Sequence, residues 1–303
     1  MSMTDVETDI VLTGLDGSDP LGWLAAIGTL RIVANAVPTA RLRWALRERW
    51  IPVLSDLGDL DLVEELMRDL EWWREAPPPA IAFAIDADRK IQDLKHPPPE
   101  YREWMRQAMR SGDREWADHA MAYATGIVVD GSGQTKPTSF HFTAGTQRFM
   151  SVPVELLETV IEDDLRHALF GPWAERDKAK TFRWRAGGER SRALLSFDPS
   201  KRSASGAPGP NWLAFHALPL FPAVAIGGRV RTACFTGRGR SESFAWPLWE
   251  LDLRLDEAKG LVTFDWVASD ESNRHKRGVV AVFRSSIVRS NQGYGSFSPA
   301  SVV

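Results

Sequence analysis

Arginines in the last two fifths of the chain fall in short, spaced groups, and their spacing is the strongest chemical signal in the sequence. Arg183, Arg185, Arg190 and Arg192 flank Gly187-Gly188, a pattern that predicts a hairpin tip with guanidinium groups on both arms. Arg229 and Arg231 alternate along a predicted strand, which turns both side chains to one sheet face. Arg238 and Arg240 sit in TGRGRSE, where glycines let the backbone approach a partner closely. Lys201-Arg202 and the trio Arg274, Lys276 and Arg277 add two loop clusters. Guanidinium forks suit bidentate phosphate contacts and stacking on bases, so these positions are candidate nucleic-acid-binding residues. The same charges also suit a solvated surface with internal salt bridges, or an acidic protein partner.

Other chemistry is less well supplied. Asp86, Asp88 and Lys90 form a D-x-D-x-K string that faintly resembles the core of a metal-dependent nuclease, although short acidic strings usually cap or turn. The six histidines are spread singly, with no HxxxH, HExxH or CxxC spacing; His119 with Asp118, or His141 with Asp86 and Asp88, could meet only through the fold. Gly131-Ser132-Gly133-Gln134-Thr135-Lys136 lacks P-loop spacing and reads as a flexible hairpin tip or a backbone phosphate cradle. No GxSxG elbow occurs. Cys234, the lone cysteine, reads as a buried thiol on a strand. Neither catalytic residues nor a metal or cofactor are expected from these patterns.

A chain of 303 residues with 44% hydrophobic and 25% charged residues has the balance of a folded globular protein. No apolar run approaches the roughly 20 residues of a membrane span. The acidic opening MSMTDVETD lacks a signal peptide's pattern, so a cytoplasmic protein without a membrane partner is expected. The net charge of -3 conceals a split: residues 1–170 carry 17 Lys+Arg against 28 Asp+Glu, residues 171–303 carry 20 against 12. The basic back half either meets a polyanion or an acidic surface, or is neutralised by the front half. Thirteen tryptophans supply core anchors first and contact surfaces second.

These residues must be positioned by an α+β fold with a helical front half, 1–172, and a strand-rich back half, 173–303, built on a mixed or antiparallel sheet. The boundary is soft, and both parts could form one unit. Asp19 as N-cap and Pro20 at the first helical position predict a helix over PLGWLAAIGTLRIVANAV, apolar or small on nearly every face and hence buried on several sides. Further helices are expected near 60–74, 100–111, 113–124, 153–169 and 211–218. Strands are expected over 9–15, 39–52, 81–85, 181–185, 192–197, 229–235, 241–247, 249–255, 261–268 and 279–283.

Two sets of motifs carry a family resemblance. LTGLDGSDPLGWLAAIGTLRIVA (12–34) resembles the amino-terminal strand-turn-helix of large-subunit-like proteins of type I CRISPR-Cas systems, especially type I-G (formerly I-U). LLSFDPSKRSASG (194–206), NWLAFHALPLFP (211–222) and VRTACFTGRGRSESFAWPLWE (230–250) resemble the carboxy-terminal pattern of type I-G accessory proteins. Together they cover about a quarter of the chain. The resemblance implies a non-catalytic subunit of an RNA-guided antiviral effector complex. Such a subunit contacts guide RNA, target DNA or neighbouring subunits and leaves cutting to a helicase-nuclease partner. Two other readings remain: a protein-interaction adaptor without nucleic-acid binding, and a metal-dependent nuclease using Asp86 and Asp88.

Overall fold

The computed structural model describes residues 9–82, 93–144, 147–186, 205–290 and 293–303, and the fold is α+β with antiparallel sheets. Its centre is helix α1, Pro20–Ala36, in which every residue from Pro20 to Val33 is buried. Asp19 caps it as expected, accepting from the amides of Leu21 at 2.9 Å and Gly22 at 3.2 Å. A helix with no wet face must meet neighbours all round, and small residues set how near they come. Helix α8, Pro208–Phe215, crosses α1 so closely that a Cβ on Gly28 would lie 1.8 Å from the Leu213 carbonyl oxygen.

The first sheet contains β1 (Ile10–Val11), β2 (Arg41–Leu46), β3 (Trp50–Ser55) and β12 (Leu253–Arg254) in the order β1-β3-β2-β12. Its last strand comes from the far end of the chain, so the two halves share a sheet. The second sheet is built on β11 (Ser243–Trp249) and the long β13 (Val279–Arg289), flanked by β10 (Phe235–Thr236), β14 (Gly295–Phe297) and β15 (Ser301–Val302). Every residue of β11 is buried, and one hydrophobic cluster runs from Leu12 to Phe297. Indoles stitch the halves together across this cluster. Trp23 Nε1 donates to the Pro247 carbonyl, Trp246 Nε1 to that of Gly17, and Trp249 Nε1 to that of Leu42.

Helix α2 (Leu62–Glu75) packs on α1, α5 (Arg114–Tyr123) meets it through the Arg31–Glu115 pair, α6 (Ser151–Thr159) and α7 (Glu162–Phe170) pack on α8, and α4 (Pro98–Ser111) packs on α5. Four expected strands are absent or cut short among the described residues. Residues 79–82 form a helical turn, α3 (Pro79–Ala82), with the rest of 81–85 outside the described residues. Residues 181–185 contain no strand. Helix α9 (Leu255–Val262) interrupts the strands expected over 249–255 and 261–268, and the Glu257 carboxylate caps its first turn by accepting from the Arg254 amide at 2.8 Å. The strand expected over 192–197 lies outside the described residues. Among the described residues, no helix is long and apolar enough to cross a membrane.

Two tests follow from α1. Gly28→Ala forces backbone apart from backbone and is expected to cost at least the ~1–3 kcal/mol typical of overpacking, read from the urea midpoint. Burial raises the Asp19 carboxyl from 3.8 to about 6, although the Gly22 and Ala186 amides, the Arg185 charge and the Leu21 amide all pull it down. The native state therefore holds a proton between those values that the unfolded chain has released. Stability should fall as pH rises from about 4 to about 6, and Asp19→Asn, which keeps an oxygen for the cap, should lack that fall.

Candidate nucleic-acid interface

Strands β8 (Ala223–Ile226) and β9 (Arg229–Thr232) form a two-stranded ribbon that is exposed along most of its length. Gly227 at φ 58° and Gly228 at φ 71° close it, the left-handed pair that a tight hairpin turn requires. Val224 faces Arg231 and Ile226 faces Arg229 across the ladder, so one ribbon face presents two guanidinium groups beside two apolar side chains. At the ribbon's base, Thr232 Oγ1 accepts from the Ser139 amide at 3.2 Å and lies 3.3 Å from Thr138 Oγ1. That contact fixes the ribbon against the segment following β5 (Thr135–Pro137), which pairs with β4 (Ala124–Val129).

Between these elements lies a cleft of about 670 Å³. Six cationic side chains line it: Lys95, Lys136, Arg229, Arg231, Arg238 and Arg289. Three carboxylates line it too, and each is already engaged. Asp130 pairs with Lys95 at 3.1 Å and is held well below the usual carboxylate range, first by the Ser132 hydroxyl and against a small burial penalty. Glu242 accepts from Ser139 Oγ at 2.9 Å and sits 3.7 Å from Arg289. Asp93 accepts from His141 Nε2 and from the Phe149 and Leu94 amides. Burial raises its carboxyl, and the His141 bond and charge with those amides outweigh this and keep it low. Lys136, Arg229, Arg231 and Arg238 have no carboxylate within ion-pair distance among the described residues. Four cations without a carboxylate partner among the described residues therefore share the walls of one cleft.

Arg238 reaches the cleft through a constrained loop. Gly237 has φ 75°, and a Cβ there would lie 2.1 Å from the Ser241 carbonyl oxygen. The glycine serves the loop's own closure, and Arg238 is carried on it. Arg240 is in the same turn, with its side chain outside the described set.

The remaining candidates are placed elsewhere. Arg183 stacks at 5.0 Å on Tyr294, whose neighbour Gly293 lines the cleft. Arg185 pairs with Glu175 at 2.5 Å and lies over Trp173 at 5.1 Å. Arg274 donates to the Trp266 and Val303 carbonyls, and so ties α10 (Glu271–Lys276) to the last residue. Arg277 stacks on Phe264 at 4.7 Å, and Lys276 is exposed at the end of α10. Arg190, Arg192, Lys201 and Arg202 lie outside the described residues, as do Asp86, Asp88 and Lys90. Among the described residues, no group of three or more His, Cys, Asp or Glu is placed to hold a metal ion. His119 and His216 are buried, and burial with the nearby Arg31 charge pushes the first down to about 3 and the second well below the ordinary value. Cys234, expected on a strand, instead takes φ 65° between β9 and β10 and donates to the Val262 carbonyl; burial pushes its thiol far above the ordinary range.

Lys95, Arg289 and the Asp93–His141 pair belong to no sequence motif, and only the fold brings them to the arginines. Lys136 had one signal, its place in the GSGQTK stretch, which is a hairpin tip stiffened by Asp130 accepting from the Ser132 amide and hydroxyl.

Gly237→Ala is expected to lower stability by about 1–3 kcal/mol and to displace Arg238, which a thermal melt and a heparin-affinity elution shift would both register. Comparison with known proteins adds no assignment: no family model matches the chain, and no curated protein is significantly similar to it.

Proposed function

We propose that this protein binds nucleic acid through the cleft between the β8–β9 ribbon, the 237–242 loop and the segment after β5. The observation that carries this reading is the set of four cations, Lys136, Arg229, Arg231 and Arg238, that have no carboxylate partner among the described residues and share one cleft. An anion with several negative charges in a row completes such a site, and a phosphate backbone is the polymer that supplies them. The 230–250 segment, which resembles type I-G accessory proteins, contributes Arg231, Arg238 and Glu242 to it. On that resemblance the protein is a subunit of a type I CRISPR effector complex in the cytoplasm. Its partners are guide RNA or target DNA, neighbouring effector subunits and a helicase-nuclease. Base pairing supplies the sequence specificity, and the protein holds the backbone.

One observation favours a second reading. Val224 and Ile226 are 44% and 60% exposed on the arginine face of the ribbon, a mixture that also fits a protein surface with acidic groups around an apolar centre.

Fluorescence anisotropy with single-stranded RNA and DNA over a salt series separates the two. Replacing Arg229, Arg231 and Arg238 together by alanine should weaken binding and reduce the slope of log affinity against log salt by about 2, since each lost contact to a single strand is worth about 0.7. An unchanged slope, or no binding by the parent protein, would favour the adaptor reading.

A further inference from the structure

His141 lies in the wall of the cation-lined cleft and is held as a general base is held. Its Nε2 bonds both carboxylate oxygens of Asp93, at 3.0 and 3.1 Å, and lies 3.2 Å from Thr143 Oγ1. Its ring stacks on Phe149, with centroids 5.9 Å apart and planes 19° from parallel. Asp93 is itself pinned by the Phe149 and Leu94 amides, so the acceptor that orients the ring cannot swing away. An ionised carboxylate on Nε2 fixes the proton there and leaves the lone pair of the neutral ring on Nδ1. Nδ1 makes no hydrogen bond among the described residues, and it is not among the side-chain atoms buried without a partner, so it keeps some access to solvent, and His141 lines the cleft. A nitrogen base with its tautomer set by a carboxylate, beside four unpaired cations, is the arrangement of base, orienter and anion clamp from which acid–base catalysis on a phosphodiester is built.

We propose that this cleft cleaves RNA, with His141 Nδ1 as the base that removes the proton of a ribose 2′-hydroxyl. The inference rests on the reading of the cleft as a nucleic-acid site and goes beyond it. The 2′-oxygen attacks the adjacent phosphorus, and a 2′-O–P bond forms as the P–O5′ bond breaks. The leaving 5′-oxygen takes a proton from the Lys136 ammonium, which also lines the cleft, and solvent restores that proton while His141 gives up the one it took. The products are a 2′,3′-cyclic phosphate and a 5′-hydroxyl, with no net gain or loss of protons and no change of oxidation state. Arg229, Arg231 and Arg238 offset the charge that grows on the non-bridging oxygens. Asp93 is a positioning residue: it touches the base and not the reacting atoms.

The test uses the full chain with a 5′-labelled single-stranded RNA, with the same sequence carrying 2′-deoxyribose throughout, and with EDTA present. The parent protein should cut the RNA to fragments ending in 2′,3′-cyclic phosphate and leave the deoxy strand intact. His141→Ala and His141→Gln should each lower the single-turnover rate about 100-fold or more while RNA affinity changes less than about 3-fold, and added imidazole should restore part of the His141→Ala rate. Asp93→Asn should lower kcat with KM nearly unchanged. A melting curve for each variant separates loss of the base from loss of the fold, and the imidazole response is one that a structural role would not give. RNA that is bound and left uncut overturns the cleavage and leaves the binding reading standing; RNA that is not bound overturns both. Cutting that survives in His141→Ala, or that extends to the deoxy strand, also overturns the role of His141.

Discussion

Helix α1 offers no face to water, and the closeness of its crossing with α8 decides where everything else can sit. At Gly28 the two helices meet backbone to backbone, with the Leu213 carbonyl in the space a side chain would fill. That contact joins residue 28 to residue 213 directly, so the chain's two halves are locked at the level of main chain. The same constraint recurs at Gly209, where a Cβ would lie 2.1 Å from the Asp164 carbonyl oxygen, bringing α8 against α7. With α1, α7 and α8 fixed, the three indole N–H bonds to Pro247, Gly17 and Leu42 carbonyls place β11 against the front half, and pairing with β2 places β12. A buried indole that lost its carbonyl would forfeit a bond and leave a desolvated donor, so each of these contacts resists sliding as well as separation.

The cleft inherits its geometry from that frame. The ribbon β8–β9 starts directly after the buried Phe221 and the half-buried Pro222, and Thr232 at its far end is tied to the 138–139 segment. The ribbon is thus held at its root and packs against β4, and among the described residues no third strand is hydrogen-bonded to it. Its carboxylate neighbours do not quench its arginines, because Asp93, Asp130 and Glu242 each have a nearer partner on their own wall. A cleft can therefore contain three acids and still present an uncompensated positive surface.

What was legible in the sequence was local. Asp19 and Pro20 announce the start of α1, and the run of small and apolar residues announces its burial, because a cap needs only three neighbouring positions and a periodicity only a few turns. The alternation of Arg229 and Arg231 placed both on one face for the same reason. Pairs distant in sequence leave no such trace: the sequence offers Asp86 and Asp88 as partners for His141, and its partner is Asp93, 48 residues away and chosen by the fold. Arginines that are grouped in the chain take different surroundings in the fold. Arg185 is occupied by Glu175 and Trp173, and Arg274 serves the carboxy-terminal strand, although their sequence surroundings look like those of Arg231. TGRGRSE was read as a place for a partner's close approach, but the close approach at Gly237 is made by the loop's own Ser241 carbonyl. Helix α9 went unseen because LRLDEAKGLV has the apolar spacing of a short strand as well as of two helical turns.

The charge split between the halves has the same resolution. If the basic half existed to neutralise the acidic one, its cations would be found along the seam. Some are: Arg176 meets Asp164 at 2.5 Å, and Lys180 meets Glu155 at 2.9 Å. Much of the acid in the front half, however, is used within it. Asp19, Asp61 and Asp113 cap helices, and Glu115 forms a two-pronged pair with the buried Arg31. Those carboxylates are unavailable to Arg229, Arg231 and Arg238. To the cleft beside those arginines the front half brings two lysines, Lys95 and Lys136, and two carboxylates, Asp93 and Asp130, both held by partners of their own. The front half thus adds no net negative charge there, and among the described residues the arginines of the ribbon are not neutralised across the seam.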